Sequence, residues 1–314
     1  MNKKILITGA TGFIGRNLIE KLHDSNYEIL ALILEEKEKN IIPDVECILW
    51  SRFLDEKNEE VYSLNRKKIK HVDVVIHLAS YGVDPKDNDI NLMIDSNVNL
   101  TKNLLMSLKK INCKKIIFTG SGFEYGDKGK IKLNEDMYLD PFSIYGATKA
   151  SSFLIGKKIC ETLNINFINL RLFNIFGEYE AKNRLLPQLI FNSLEEKKLN
   201  FTTGEQIRDY LYIKDVVKAY EIILKLNLFD NEIYNICSSE EISIRNFIEK
   251  AAKVLNISFS KLNFGAISTR KEEAMYIVGD NNKFVNKTGW KNKFTLEEGI
   301  ENMYKILKRK SYEI

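Results

Sequence analysis

Three glycines spaced three residues apart, Gly9, Gly12 and Gly15, fix how this chain begins to fold. Ile5-Leu-Ile7 before them is a short β-rich run, and apolar residues recur at helical spacing from Ile14 to Leu22. Gly9 can make a tight turn, Gly12 lets the backbone approach a pyrophosphate, and Gly15 lets the helix pack closely on the strand. The helix start then offers unpaired N–H groups and a positive dipole end to phosphates. Many glycine turns are only structural. The strand before this one and the helix after it favour a dinucleotide cradle of Gly9, Thr11, Gly12, Phe13, Ile14 and Gly15.

The alternation continues downstream. Ile29–Leu34, Val72–His77, Lys115–Thr119 and Asn166–Arg171 read as strands, with a helical stretch from Leu100 to Leu108. Short apolar strands between helix-period segments predict an α/β fold: a Rossmann-like, doubly wound parallel sheet. From about residue 175 the pattern is less regular. Helices are expected over Asp215–Leu226, Ser243–Leu255 and Leu296–Leu307, the last capped by Thr295. The expected division is a dinucleotide-binding domain over 1–174, completed by a strand from later in the chain, and a smaller, mixed C-terminal lobe over 175–314. That lobe should lie over the sheet's carboxyl edge, where open α/β sheets bind ligands.

Composition narrows the function. A net charge of +4, from 47 basic and 43 acidic residues spread along the chain, argues against a nucleic-acid partner. The N-terminal apolar run breaks at Gly9, and no apolar stretch is long enough to span a membrane. A cytoplasmic protein with no membrane partner is expected. Cys47, Cys113, Cys160 and Cys237 are dispersed, and with His23, His71 and His77 they show no metal-ligand spacing. No metal is expected; the cysteines read as free thiols of a reducing compartment. His77 reads as structural, and Trp50 and Trp290 as packing residues.

Tyr145 and Lys149 lie four residues apart, so on a helix they share a face. A fixed positive charge beside a phenol favours the phenolate, whose unperturbed pKa is about 10. The pair can therefore exchange a proton with an alcohol or ketone. Alone, such a pair is most often an ordinary helix face.

With the Gly-x-x-Gly-x-x-Gly turn, the pair resembles the short-chain dehydrogenase/reductase superfamily, in particular its extended branch acting on nucleotide sugars. Val75–Ala79 resembles that family's fourth strand, and Asn97–Leu105 the helix that follows. Thr119–Gly126 resembles the segment carrying the catalytic Ser or Thr, Arg171–Gly177 the entry to the substrate lobe, and Arg208–Val216 a further family motif. Asp280–Trp290 resembles the closing segment. The resemblance implies NAD or NADP as cofactor, with Leu78, Ala79, Asn97, Tyr145 and Lys149 joining the glycine turn around it. It implies Ser121, Tyr145 and Lys149 as catalytic residues. It also places Ser121, Glu124, Asn174, Arg208 and Arg270 on a nucleotide-sugar substrate, with Arg184 a further cation of the lobe. A homodimer formed through two helices beside the site is implied as well.

The departures are informative. The second strand ends without the acidic or basic residue that separates NAD from NADP; Glu35, Glu36, Lys37 and Lys39 come just beyond it. The Asp-Leu pair expected at the adenine is replaced by Cys47–Arg52. Ser121-Gly-Phe123 lacks the Thr-Asp-Glu run of the 4,6-dehydratases. Phe123 stands where decarboxylating relatives carry Glu. What is left is oxidoreduction at C4 of a nucleotide-activated hexose or deoxyhexose, for surface glycan assembly, or 4-epimerisation with retained NAD. A non-catalytic dinucleotide-binding regulator has no need of Ser121, Tyr145 and Lys149 together.

Overall fold

The computed structural model describes residues 3–311, apart from 24, 55–68, 70, 85, 195–197 and 270–272. Six strands succeed one another through the first half: β1 (Lys3–Thr8), β2 (Tyr27–Ile33), β3 (Glu46–Leu49), β4 (Val74–His77), β5 (Lys115–Ser121) and β6 (Asn166–Leu172). Shorter strands follow: β7 (Asn174–Phe176), β8 (Leu199–Phe201), β9 (Ile207–Arg208) and β10 (Tyr210–Tyr212). Then come β11 (Glu232–Ile236), β12 (Ile242–Ser243), β13 (Leu262–Phe264) and β14 (Tyr276–Ile277). The first six and β11 form one seven-stranded sheet in the order β11-β6-β5-β4-β1-β2-β3. All its pairings are parallel.

The strand sequences explain the double winding. Ile5 and Ile7 face one core together with Ala31, Ile33, Val74 and Ile76. Leu6 faces the other with Leu30, Leu32, Val75 and Ile116. Period-two alternation of apolar residues on both faces needs helices on both sides, as buried parallel strands require. Helices Leu100–Leu108 and Ile144–Leu163 cover one face, and Phe13–His23 and Ile213–Leu226 the other.

The order reverses between β1 and β4. That is the switch point where the carboxyl ends of open α/β sheets hold ligands. Thr8, His77 and Ser121 end the three strands nearest it. Residues after 173 build three small sheets, β10-β7, β12-β9-β14 and β13-β8. Helices Leu185–Leu194, Ile244–Val254 and Leu296–Ser311 pack together beside them. Trp290 is buried in this region and its indole donates to the carbonyl of Asp215 (3.1 Å). No helix among the described residues is long and apolar enough to cross a membrane.

Candidate active site

The glycine turn leaves β1 at Thr8. Gly9 has φ +65°, and a Cβ there would lie 2.7 Å from the amide nitrogen of Ala79. A Cβ on Gly15 would lie 2.3 Å from the carbonyl oxygen of Gly9. Only glycine permits this closeness, and it brings the helix start, with Phe13 and Ile14 in its first turn, over the strand end. Leu78 and Ala79 close the other side, their amides bonded to Thr8 O and Oγ1 (3.2 Å each). The cradle fits a pyrophosphate on these grounds: unhindered backbone, first-turn N–H groups and a helix dipole.

The acidic residue after the second strand is Glu38, which sequence reading did not single out. Its Oε2 accepts from Thr11 Oγ1 (3.0 Å), so its carboxylate lies beside the glycine turn. Glu35 and Lys37 pair instead with each other at the surface (2.6 Å). A carboxylate here suits a free ribose hydroxyl and repels a 2′-phosphate, so the chain's own residues fit NAD.

Tyr145 and Lys149 stand on helix Ile144–Leu163, whose N-cap Ser143 accepts from the amide of Gly146 (3.1 Å). Such a cap is worth about 1 kcal/mol. A Cβ on Gly146 would meet the Phe123 carbonyl at 2.5 Å, so this glycine lets the helix lie against the turn after β5. Phe123 packs edge-on against Tyr145 (6.4 Å, 71°). The side chains of Ser80 and Ser121 lie near enough to the phenol to favour its ionised form.

Burial pushes Tyr145 up to about 12, against the pull of the Ser80 and Ser121 hydroxyls. Lys149 is buried and its pKa is lowered by desolvation, which Glu124 opposes. Among the groups acting on Tyr145, the serine hydroxyls lead those that favour its ionisation. His77 ties β1 to the helices, with Nδ1 on Thr8 Oγ1 (2.7 Å) and Nε2 on Thr101 Oγ1 (2.8 Å). Burial, aided by Lys149, pushes its pKa down to about 3 and keeps it neutral.

Two expectations for substrate and cofactor contacts give way to other roles. Glu124 has no exposed surface; it accepts from the Ser121 amide (2.7 Å) and pairs with Arg171 (2.9 Å). It holds Ser121 from behind and cannot face a substrate. Asn97 is 2% exposed, and its amide is consumed by Ser80, Tyr81 and Thr148, so it positions other residues.

The remaining candidates follow β6 in the chain. Asn174 pairs with Tyr210 across β7 and β10, and its Nδ2 is buried without a partner, a donor awaiting an acceptor. Arg208 is buried, its Nη1 donating to Ile207 O (2.9 Å) and its Nη2 pairing with Glu273 (3.2 Å). Arg184 is more open, pairs with Glu180 (3.6 Å), and its charge bears on both Tyr145 and Tyr210. Burial raises Glu180 to about 7, against the pull of Arg184. Arg270 lies outside the described residues.

This chain is 29% identical over 313 residues to the CDP-abequose synthase of Salmonella muenchen, covering 96% of this chain and 97% of that one. It is 27% identical over 314 residues to the dTDP-4-dehydro-6-deoxyglucose reductase of Escherichia coli, covering 98% of each. Its fold matches the UDP-glucuronic acid 4-epimerase of Bacillus cereus, solved with UDP-glucuronic acid and NAD, with TM-score 0.83, 25% identity, and 98% and 99% of the two chains covered. Residues 5–237, which contain all but the first two residues of the seven-stranded sheet together with Ser121, Tyr145 and Lys149, match the NAD dependent epimerase/dehydratase family, and this chain belongs to it.

Proposed function

We propose that this protein is a 4-ketoreductase or dehydrogenase, acting at C4 of a nucleotide-activated hexose or deoxyhexose for surface glycan assembly. One observation carries the choice among family reactions. Beside Tyr145, where elimination or decarboxylation would call for another acid or base, stand the Phe123 ring and a Glu124 sealed against Arg171. Oxidoreduction at one carbon needs a single proton-transfer group, and Tyr145 supplies it.

NAD, when bound, supplies the hydride chemistry. Tyr145 gives or takes the proton of the C4 hydroxyl. Ser121 hydrogen-bonds that oxygen and fixes its approach to the phenol. Lys149 holds the nicotinamide ribose. Asn174 and, within residues 175–314, Arg184 and Arg208 supply most of the sugar-nucleotide contacts; an arginine fork suits phosphate oxygens.

The test is stoichiometric. With a dTDP- or CDP-linked 4-keto-6-deoxyhexose, NADH absorbance should fall in proportion to reduced sugar formed. The second reading, a 4-epimerase with retained NAD, is supported by the likeness to the Bacillus cereus epimerase. Epimer accumulating from a UDP-hexose with no net change in absorbance would establish that reading instead.

We further propose that the protein works in the cytoplasm as a homodimer. The four cysteines are free, three of them buried, which suits a reducing compartment. Met106, Leu154 and Ile155, each exposed, line an apolar groove between helices Leu100–Leu108 and Ile144–Leu163. A Leu154→Glu, Ile155→Glu variant should run as a monomer in light scattering where the native chain runs as a dimer.

A further inference from the structure

The segment that joins β7 to helix Leu185–Leu194, residues 177–184, is held at both of its ends. At the first, the Glu178 carbonyl accepts from Asn17 Nδ2 (2.7 Å). The Glu178 carboxylate accepts from the Tyr212 hydroxyl and lies 3.8 Å from Lys214 Nζ. Tyr179 follows with φ +69°, a left-handed conformation that a bulky side chain adopts only where its surroundings enforce it. Two side chains of the first helix, Phe13–His23, enforce it here. The Arg16 guanidinium lies 3.6 Å from the centre of the Tyr179 ring, and the Tyr179 hydroxyl donates to the Glu20 carboxylate. Arg16 and Glu20 are four residues apart and share a face of that helix. At the other end, Asn183 Nδ2 donates to the Asp84 carboxylate and Arg184 Nη1 to the carbonyl of Val83 (3.5 Å). Between the ends, Glu180 and Arg184 pair at 3.6 Å.

One end therefore rests on the helix that leaves β1, and the other on the loop that leaves β4. β1 and β4 are the neighbours between which the order of the sheet reverses, and the glycine turn opens at the same place. We propose that residues 177–184 form a strap across the mouth of the dinucleotide cradle, with Tyr179 as its latch: NAD enters and leaves only when the strap lifts. The contacts named above join protein to protein, and none of them uses the N–H groups of the first turn of the helix. The strap thus governs passage and leaves the affinity of the cradle alone, so loosening it speeds entry and exit alike. The strain at Tyr179 favours lifting, while Arg16 and Glu20 oppose it. The closed state is therefore balanced and not locked.

Stopped-flow binding of NADH to the full chain, read by its fluorescence, tests the strap whichever reaction the site performs. Tyr179→Ala removes both contacts with the first helix and keeps the strain. It should raise the association and dissociation rate constants together by about tenfold, with Kd within about twofold of the native value. Tyr179→Gly adopts the turn without strain and should raise them less. Asp84, whose carboxylate accepts from Asn183 and the Lys86 amide, lies at the far end of the strap. Asp84→Ala should also raise both rate constants. If Tyr179→Ala fails to fold, Tyr179→Phe, which loses only the bond to Glu20, takes its place with a rise of about threefold. Native rate constants in the Tyr179 and Asp84 variants overturn the proposal. Dissociation quickened alone, with Kd weakened in step, overturns it too, since the segment would then prop the cradle and not gate it.

Discussion

Replacing Tyr145 with Phe is expected to lower turnover by about 10²–10⁴-fold, the usual contribution of a positioned general acid or base. The substitution removes one oxygen and keeps the ring that packs edge-on against Phe123. The helix, its Ser143 cap and the glycine turn do not depend on that oxygen. NAD affinity should therefore change by no more than roughly fivefold, since one hydrogen bond contributes about 1 kcal/mol. Parallel measurements of steady-state rate and NAD titration check this. An equal collapse of both would mean that Tyr145 serves the cofactor pocket and not proton transfer. A substituted ring that left the rate untouched would remove it from the chemistry altogether. Because burial holds the native phenol near 12, the alkaline form is scarce at neutral pH. In the reducing direction, where Tyr145 donates, activity should thus persist across neutral pH and fall only as the phenol ionises.

What the sequence disclosed and what it hid divide along a physical line. The glycine turn and the Tyr145–Lys149 face are local: spacing within one or two turns determines them, and a sequence displays spacing directly. Apolar alternation likewise located β1, β2, β4, β5 and β6 to within a few residues. β3 is four residues long and begins with a glutamate, so it carries little pattern; pairing with β2 is what makes it a strand. β11 shows the same limit, since its place beside β6 depends on a return of the chain across 60 residues. Side-chain partners were the least legible. Arg208 reads as a free cation until β12 and β14 flank it and Glu273 pairs with it. Ser80 and Asn97 are 17 residues apart and joined by a π-helical turn that no regular period announces. Glu38 was overlooked because Glu35 and Lys37 lie nearer the strand end, yet they neutralise each other.

The largest loss of stability is expected at the same kind of hidden contact. Glu124 and Arg171 are 0% and 2% exposed, 47 residues apart, and paired at 2.9 Å beneath Ser121. Arg171 also lies over the Tyr125 ring, 4.6 Å from its centroid. Replacing Arg171 with Met keeps much of the buried stem but strands the Glu124 carboxylate without its cation. Breaking a buried pair in this way costs about 3–5 kcal/mol, because one uncompensated charge stays in the interior. Denaturant unfolding of Arg171→Met should register that loss. The double variant Glu124→Gln, Arg171→Met should recover most of it, since neither charge then remains and Gln can still accept from the Ser121 amide. Activity should separate from stability in the same series. In the double variant a restored fold with kcat still depressed would show that the carboxylate sets the position of Ser121. Restoration of both would make the pair purely structural. A single variant as stable as the native chain would mean that water, and not Arg171, satisfies Glu124. The unpaired Nη1 of Arg171 and the unpaired amide of Asn169 mark where such water would sit.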